Sequence, residues 1–309
     1  MRYRLSTLQI TIGEGINKAL HFNNNSSTDA NIINFYYLIH YQFMKRINMK
    51  AVTPNTPTLL ISALTLLAVF PSTLFADWGL GVSLETTQSM YKKNNTKNTE
   101  ISIQASPSIT YHGERVNIDD SGLSYAVIKT NKYAVDVLTT SNNRGYKAKD
   151  KDIFKGMKER KESLDLGVRL RVQTPYAPVR LAITKDIYKN KGTEIGLSIG
   201  GINPSTKHWT GKRNVSIAPI IGANWQSKKV VDYYYGVRNA EATKTRKAYK
   251  GKAAMTPFIG LEAEAKLSRH FSMTGGAKYK RLPSEITDSS ITKDSNNDYQ
   301  VNLGLSYWF

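Results

Sequence analysis

The 309-residue sequence contains no cysteine, which excludes a disulfide scaffold, a cysteine-based zinc site, an iron–sulfur centre and a thiol nucleophile. It lacks repeated apolar runs of about 20 residues, and this lack, with a mean hydropathy of −0.41, excludes a polytopic helical membrane protein. Acidic residues are scarce beside basic ones, since 24 Asp and Glu face 43 Lys and Arg, a formal net charge of +19. This excess indicates an acidic partner, which could be nucleic acid, anionic lipid, lipopolysaccharide or a wall polymer.

One apolar run near the N-terminus stands apart from the rest of the chain. Residues 59–70 (LLISALTLLAVF) follow a short basic stretch at Met49 and precede Ala76, an order typical of a secretory signal peptide. The run is too short to span about 30 Å of hydrocarbon as a helix. We therefore predict a signal peptide over residues 49–76 and an exported chain over residues 77–309.

Residues 1–48 are rich in Asn and show no sustained periodicity. Because a signal peptide belongs at the N-terminus, we predict that translation starts at Met49 or Met44. Residues 1–48 would then be a non-structural extension that results from a misplaced gene start. The basic excess lies in the exported part of the chain, so a nucleic-acid partner is not expected.

The dominant pattern of the exported chain is alternation with a period of two. It is clearest over residues 101–111, 164–172, 215–225 and 299–309. Further segments read as strands are 78–91, 114–128, 132–143, 177–188, 193–203, 229–237, 253–266 and 270–282. Successive side chains of a strand point to opposite faces, so each segment has one apolar and one polar face. This predicts an all-β chain.

Alternation does not show which face meets water, so an exported β-sandwich remains an alternative to an outer-membrane barrel. Export favours the barrel, as do strands of about 9–14 residues and aromatic residues clustered at strand ends. The last strand ends on Tyr307 and Phe309, an assembly signal typical of outer-membrane barrels. We predict a transmembrane antiparallel outer-membrane β-barrel of about twelve strands, with ten or fourteen as alternatives, because single-chain bacterial barrels have even strand counts.

The predicted loops differ in length and are rich in lysine. Counting back from a periplasmic C-terminus puts loops 238–252 and 283–297 outside. The same count puts the long loop 144–161 in the periplasm, where turns are normally short, so the strand register of the N-terminal half is suspect. At the cell surface these lysines would neutralise lipopolysaccharide phosphates, whereas in the periplasm they could contact anionic murein or an acidic partner. The third alternative is that the loops are solvated and bind nothing.

Several short motifs distinguish the C-terminal third. They are residues 234–237 (YYGV), 239–242 (NAEA), 275–279 (GGAKY), 285–289 (EITDS) and 303–307 (LGLSY). On these motifs the chain resembles the MltA-interacting protein / outer-membrane protein V (MipA/OmpV) family. Residues 122–125 (GLSY) and 131–146 look like the N-terminal half of that family, so the resemblance covers essentially all of residues 77–309. Loops 144–161 and 244–252 carry more lysine than the family leads us to expect, so a partner preference need not carry over.

The resemblance implies an outer-membrane protein without catalytic activity. The eponymous member is a scaffold that tethers a lytic murein transglycosylase to a penicillin-binding synthase, and other members have been treated as porin-like or adhesive proteins. The family offers no catalytic motif to carry over to residues of this chain.

Two patterns that could indicate an enzyme have structural explanations. Residues 196–200 (GLSIG) match the G-x-S-x-G nucleophile elbow, but they lie inside an alternating strand and not on the strand–turn–helix that the motif requires. The histidines of the exported chain lie in predicted turns without a second histidine at ligand spacing; they are His112, His208 and His270. We expect no catalytic site, no metal ion and no cofactor.

Charged residues on the predicted polar faces are the remaining candidates for a site. Six of them would line the lumen: Asp165, Arg169, Arg171, Glu262, Glu264 and Lys266. Asp136 and Asp186 join them if the register holds. Such groups could select permeating solutes, or they could pair across the lumen and plug it.

The sequence favours two functional classes. The first is a non-enzymatic scaffold that links the outer membrane to peptidoglycan-remodelling enzymes, and the alternative is a small porin-like channel for polar solutes. An outer-membrane enzyme or an adhesin is the third class. The expected partners are outer-membrane lipid and lipopolysaccharide, a murein transglycosylase, a penicillin-binding protein, and the barrel assembly machinery during insertion.

Overall fold

The computed structural model describes residues 78–92, 101–119, 122–142, 144–202 and 214–309. The predicted signal peptide over residues 49–76 and the predicted extension over residues 1–48 lie outside the described residues, as does His208.

Within the described residues, twelve antiparallel strands close into one barrel, in which each strand pairs with its sequence neighbours and the last pairs with the first. The strands are β1 (Trp78–Gln88), β2 (Ile101–His112), β3 (Val116–Asp119), β4 (Gly122–Lys129), β5 (Tyr133–Asn142), β6 (Ser163–Gln173), β7 (Pro178–Asp186), β8 (Thr193–Gly200), β9 (Asn214–Gln226), β10 (Ala254–Lys266), β11 (Phe271–Arg281) and β12 (Asn297–Trp308). The prediction of an all-β barrel with twelve strands is confirmed.

Two of the predicted segments are nevertheless wrong. Residues 229–237, predicted as a strand, form the helix α1 (Lys228–Tyr235). Residues 114–128, predicted as one kinked strand, form β3 and β4 with a turn between them. One error removes a strand and the other adds one, so the total is unchanged.

Helix α1 forms although its residues favour strands. Its sequence KKVVDYYY is rich in β-branched and aromatic residues, the types enriched in strands. Val230, Val231, Tyr234 and Tyr235 are buried, and their spacing of four matches one face of a helix. They pack with the short helix α2 (Ser284–Thr287), so tertiary packing overrides the local preference. Neither α-helix among the described residues is long and apolar enough to cross a membrane.

The two ends of the barrel differ in the length of their connections. At the end that carries Phe309, four connections have three or four residues: 113–115, 130–132, 174–177 and 267–270. Short turns face the periplasm in outer-membrane barrels, so this is the inner end. The fifth connection at this end, 201–213, is longer, but the three longest connections, 143–162, 227–253 and 282–296, lie at the outer end. The strand count that put loop 144–161 in the periplasm, and so made the register suspect, is therefore wrong. The loop lies at the same end as residues 238–252 and 283–297, because counting α1 as a strand inverted the strands that precede it.

The barrel wall turns its apolar side chains outward. Leu197 on β8, for example, is 47% exposed, and Ile217 on β9 and Leu303 on β12 are exposed as well. The inward positions between such residues are mostly small or polar, such as Ser198 and Gly304. This arrangement puts the apolar face of the alternating pattern against lipid.

Candidate functional site

The six charged residues predicted to line the lumen lie on the inward faces of two strands. On β6, Asp165, Arg169 and Arg171 alternate with exposed Leu166 and Val168. On β10, Glu262, Glu264 and Lys266 alternate with residues that include exposed Leu261. Their side chains enter three different surroundings, and a role in passing solutes stays a prediction.

The two arginines of β6 bind one buried carboxylate. Asp136 on β5 has no exposed surface, and Nε of Arg169 donates to its Oδ2 at 2.9 Å. Arg171 donates to the same carboxylate from Nε at 2.7 Å and from Nη2 at 2.8 Å. Arg169 also donates to Oγ of Ser124 at 3.1 Å. Two guanidinium groups on one carboxylate leave this side of the lumen positively charged, and Arg180 on β7 stands opposite Arg171 in the register.

Asp165 is not part of the arginine cluster. It accepts a hydrogen bond from Oγ of Ser163 at 2.9 Å near the outer end of β6, and it stands opposite Asp186 on β7. Asp186 in turn accepts the backbone N–H groups of Tyr188 at 2.7 Å and Lys189 at 2.9 Å. Asp186 therefore fixes the turn between β7 and β8.

A backbone segment connects the arginine side to the acidic side of the lumen. Arg180 donates from Nη1 to the carbonyl oxygen of Gly200 at 3.0 Å and from Nη2 to that of Ile202 at 2.7 Å. The N–H of Ile202 donates to Oε2 of Glu262 at 3.0 Å. Gly200 and Gly201 have φ values of +90° and +77°, which glycine adopts readily, so the chain can turn inward here.

The acidic side of the lumen belongs to β10. Glu262 pairs with Nζ of Lys278 on β11 at 3.2 Å. Glu264 lies two residues nearer the inner end, opposite Thr274 on β11, and Lys266 lies at the inner end of the strand. The two sides of the lumen therefore differ: β6 and β7 carry three arginines, of which Arg169 and Arg171 bind Asp136, whereas β10 and β11 carry Glu262 and Glu264 together with Lys266 and Lys278.

A cavity of about 260 Å³ lies beside the acidic side of the lumen. Small hydroxyl side chains and glycines make up half of its lining residues, and charged or aromatic side chains stand among them. The charged, imidazole and indole groups are Asp119, Glu262, Glu264, Lys278, His112 and Trp308. Nε1 of Trp308 donates to Oγ of Ser272 at 2.7 Å, which fixes the indole at the inner end of this cavity.

The loops at the outer end pack into a cap, which comprises the described residues of 89–92, 144–162, 227–253 and 282–296. Phe154 is 1% exposed and shares one buried cluster with Ile291 from the loop before β12. The ring of Tyr91, from the loop after β1, lies 5.1 Å from that of Phe154. Because β6 and β12 are six strands apart in either direction, contacts between their loops span the mouth of the barrel.

A buried ion pair joins two loops of the cap. Nη2 of Arg160 donates to Oε2 of Glu241 at 2.9 Å, and both side chains are almost fully buried. The remaining donors of Arg160 bond to the carbonyl oxygens of Tyr233 and Lys158, each at 2.7 Å. Arg246 supports the same contact by donating to the carbonyl oxygen of Glu241. The donors of Arg160 are thus used within the cap.

Burial shifts the titration of the cap residues. It raises the pKa of Tyr146 to about 12, although the neighbouring Arg160 lowers it. Burial also raises the pKa of Tyr234 to about 12 against the opposing charge of Arg144. Burial alone would raise the pKa of Glu241, but hydrogen bonds from Arg160 and from two backbone N–H groups lower that pKa below its usual range. The cap therefore holds neutral tyrosines and an ionised Glu241 at neutral pH.

The cap is attached to the inward face of the wall. Arg144 forms an ion pair with Glu194 at the outer end of β8. Lys293 Nζ lies 2.8 Å from Oδ1 of Asp298 at the outer end of β12. These contacts fix the loops at two places on the rim of the mouth, four strands apart.

The C-terminal aromatic residues lie at the inner end, where the barrel closes. The Tyr307 ring faces outward and contacts Phe271 and Phe309 edge-on, with ring centroids 5.2 Å and 5.3 Å apart. The N–H of Phe309 donates to the carbonyl oxygen of Trp78 at 3.2 Å, which extends the pairing of β1 with β12. That Tyr307 and Phe309 act as an assembly signal stays a prediction.

The nucleophile-elbow match is part of the wall. Residues 196–200 lie inside β8, as predicted, and Ser198 pairs with Arg180 and Gly222 on the neighbouring strands. His270 is far along the chain, and its Nδ1–H donates to the carbonyl oxygen of Trp308 at 2.8 Å. Among the described residues, no three His, Asp or Glu side chains are grouped so that they could hold a metal ion.

The sequence matches the family model described as MltA-interacting protein MipA over residues 80–309. The chain belongs to the MipA family. It is similar to the outer membrane protein OmpV of Vibrio cholerae, with 30% identity over 202 residues that cover 64% of this chain and 76% of OmpV. It is also similar to the MltA-interacting protein of Escherichia coli K12, with 23% identity over 235 residues that cover 75% of this chain and 90% of that protein. Neither relative is named as an enzyme.

These MipA-family relatives and the barrel fold identify the protein as an outer-membrane protein. A further relative, the outer membrane protein Omp26La of Vibrio anguillarum, is 28% identical over 216 residues, which cover 69% of this chain and 81% of that protein. Among solved structures, an outer membrane channel from Pseudomonas putida F1 aligns with 78% of this chain and all of that chain, at 11% identity and a TM-score of 0.34.

The motifs that carry the resemblance to the MipA family lie largely in the cap. Tyr234, Tyr235 and Val237 are buried there, and Glu241 of the NAEA motif holds Arg160. Ser289 of the EITDS motif donates to the carbonyl oxygen of Tyr235 at 2.6 Å. The sequence indicates these motifs but not the cap, because loop residues far apart in the chain carry no periodicity that would indicate their contact.

Proposed function

We propose that this protein is a non-enzymatic adaptor, which holds a peptidoglycan-remodelling enzyme at the inner face of the outer membrane. The cap carries the proposal, because loops from opposite sides of the barrel meet over its outer mouth and share one buried cluster. A filled mouth favours an anchoring role over solute passage. The name of the Escherichia coli relative, MltA-interacting protein, supports the murein transglycosylase as the enzyme that is held.

The inner end of the barrel offers a basic surface to such a partner. Exposed Arg115, Lys132 and Arg269 lie in three of its short turns, whereas Glu114 is the acidic residue beside them. Tyr176, in a fourth turn, is 98% exposed. Basic groups on the same end of the barrel as an exposed aromatic side chain are suited to an acidic patch on a protein partner, since opposite charges steer the encounter and an aromatic anchor supplies contact area.

Binding to purified enzymes tests the adaptor. The barrel in lipid nanodiscs is immobilised, and the lytic murein transglycosylase and the penicillin-binding synthase encoded in the same genome are passed over it. We expect saturable binding of the transglycosylase, which the triple variant Arg115→Glu, Lys132→Glu and Arg269→Glu abolishes. A matched variant with three charge reversals in exposed outer loops, Lys149→Glu, Lys244→Glu and Lys250→Glu, keeps it. Absence of binding to either enzyme contradicts the adaptor.

A small channel is the second candidate, and the different charges on the two sides of the lumen favour it. The arginines of β6 and β7 stand apart from the carboxylates of β10, as in a pore that orients polar solutes. In a planar bilayer, an adaptor carries no ion current, whereas a channel carries a current that Arg169→Ala with Arg171→Ala changes. The roles of Asp165, Glu262, Glu264 and Lys266 in selectivity depend on the same measurement.

A further inference from the structure

Five exposed lysines lie along one part of the outer rim of the barrel, where β7 ends and β8 and helix α1 begin. We call them the basic rim: Lys185, Lys189, Lys191, Lys228 and Lys229. The turn between β7 and β8 is fixed, because Asp186 accepts the backbone N–H groups of residues 188–191. Helix α1 is bound to the same place, since the N–H of Ser227 donates to the carbonyl oxygen of Thr193 at 2.9 Å. The fold therefore brings the five lysines to one side of the rim.

The position of Lys185 shows the depth of the basic rim in the membrane. Its side chain lies on the outward face of β7, where its strand neighbours are Leu166 on β6 and Thr193 on β8. Leu166 and Ile183, the preceding outward residue of β7, are exposed toward lipid. An ammonium group is not stable among lipid tails, but the long stem of a lysine can lie along apolar surface while its charge reaches the headgroups. Lys185 therefore marks the outer boundary of the hydrocarbon.

Apolar and aromatic side chains lie beside these charges. Ile187 and Tyr188, in the turn after β7, are about half exposed. The N–H of Ile187 donates to the carbonyl oxygen of Leu164 at 2.9 Å, which continues the wall to the outer end of β6. Nζ of Lys189 lies 4.3 Å from the centre of the Tyr188 ring. An aromatic side chain among basic groups at this level is typical of the interface between hydrocarbon and headgroups.

The protein does not neutralise the charge of the basic rim. Within the described residues, none of its five ammonium groups forms an ion pair with a carboxylate. Lys228 and Lys229 begin helix α1, whose first turn has no acidic residue, so the positive end of the helix dipole adds to their charge. The rim near β1 and β12 differs, because Lys92 pairs there with Asp294 at 2.7 Å. The basic rim is therefore a local feature, and it is suited to an anion.

We propose that the basic rim binds the phosphate groups of lipopolysaccharide in the outer leaflet of the membrane. The lipid anchor of lipopolysaccharide carries its phosphates directly above its acyl chains, at the level where the charge of Lys185 reaches the headgroups. The lysines bind the phosphates as point charges, and the acyl chains pack on the apolar wall of β6 to β8. The site is thus the rim and not the lysine-rich loops 144–161 and 238–252. This inference does not rest on the adaptor function and can hold or fail separately from it.

Binding of purified lipid anchors tests the proposal. The folded barrel in micelles of a nonionic detergent is titrated with diphosphoryl lipid A, and native mass spectrometry measures the fraction of barrels that carry the lipid. We expect saturable binding that is weaker for monophosphoryl lipid A and lost when both phosphates are removed. Soluble inorganic pyrophosphate should bind far more weakly, because it has no acyl chains. Equal binding of dephosphorylated lipid A overturns the proposal, and so does binding of pyrophosphate that is as tight as that of lipid A.

A triple variant of the basic rim locates the site. Lys185→Gln, Lys189→Gln and Lys229→Gln together remove three of its charges and should weaken the binding of diphosphoryl lipid A by a factor on the order of 10–100. The same three positions changed to arginine keep the charge and should keep the binding. Each variant is first checked for the gel shift on heating that marks a folded barrel. Unchanged binding by the glutamine variant overturns the proposal.

A matched variant separates the rim from the overall charge of the protein. Lys149→Gln, Lys244→Gln and Lys250→Gln remove the same number of charges from exposed loops of the cap. These positions lie outside the basic rim, so the binding of diphosphoryl lipid A should change by less than about threefold. Equal weakening by the two triple variants would mean that the lipid responds to the net charge alone, and it would overturn the assignment to the rim.

Discussion

Apolar side chains are buried against one another in the cap, whereas in the barrel wall they point outward to the membrane. Phe154 and Tyr234 of the cap are almost fully buried. Leu197 and Leu303 of the wall are about half exposed and meet lipid. The cap is therefore stabilised as a soluble domain is, by removing apolar surface from water, while the wall depends on a closed ladder of backbone hydrogen bonds.

This difference predicts that one kind of substitution has opposite consequences in the two regions. A truncation or an unpaired charge should open the cap and leave the wall intact. A charge on the outward face should damage the wall and leave the cap intact. Variants of cap and wall residues separate these cases.

The largest effect is expected from the buried ion pair of the cap. Arg160→Ala leaves the buried carboxylate of Glu241 with only the more distant Arg238, whose Nη1 lies 3.9 Å from Oε1, and removing one partner of a buried pair costs about 3–5 kcal/mol. The loss should be local to the cap. Hydrogen exchange of the barrel in nanodiscs should therefore become fast over residues 144–162 and 228–252, while the amides of β6 and β12 keep their protection.

A double variant separates the ion pair from the packing around it. Arg160→Met combined with Glu241→Leu replaces both charges by apolar groups, so neither member of the pair stays buried without the other, and protection of the cap should largely return. Equal loss of protection in cap and strands after Arg160→Ala would mean that the two regions unfold together, contrary to the comparison.

The strands of the wall could be predicted from the sequence because the alternation of apolar and polar residues is a local pattern. Alternation over residues 164–172 identifies β6, and it also puts Arg169 and Arg171 on one face. Their shared carboxylate, Asp136, depends on the pairing of β5 with β6, which the alternation of one strand does not contain. The error at residues 229–237 has the same origin, because packing in the cap decides the conformation of Val230 and Tyr234.

Truncation of an aromatic side chain should show the second-largest effect. Phe154→Ala creates a cavity in the cap, where Phe154 stacks on Tyr146 with ring centroids 4.0 Å apart, and should cost about 3–4 kcal/mol. Leu197→Ala on the lipid face of β8 should cost less than about 1 kcal/mol, since it only shortens a side chain that faces the membrane. The measurement is hydrogen exchange for the cap and urea unfolding in lipid vesicles for the wall. Similar costs for both variants would contradict the difference in their packing.

A new charge should destabilise the barrel more on the outward face of the wall than on the inward face. Leu303→Arg puts a guanidinium group among lipid tails and should cost about 2–3 kcal/mol. Asn302→Arg on the adjacent inward position should cost much less, because its side chain enters the polar lumen opposite Glu85. Urea unfolding in vesicles measures both variants. A larger loss for Asn302→Arg would mean that the inward and outward faces of β12 are exchanged.

The sequence predicts which charged residues line the candidate site, but it does not predict which groups they bond to. Glu262 and Glu264 follow from the alternation of β10, whereas the bond of Glu262 to the N–H of Ile202 depends on how the chain leaves β8. Arg160 and Glu241 are 81 residues apart in loops, and only folding brings them together. Periodicity therefore predicts on which face of its strand a charged residue lies, whereas its contacts depend on the tertiary fold.

The smallest effect is expected from lowering the pH. The pKa of Glu241 is lowered in the folded protein from its ordinary value of about 4.3, so its contribution to stability is present above that value and is lost as the pH falls through the folded pKa. Glu162 acts in the opposite direction, because burial raises its pKa. Near-ultraviolet circular dichroism of the packed cap aromatics should therefore weaken below about pH 4. In Glu241→Gln, which cannot titrate, the signal should be weaker at neutral pH and should change less on acidification. An identical acid response in Glu241→Gln would mean that other carboxyl groups, such as those at the strand ends, control the closure of the cap.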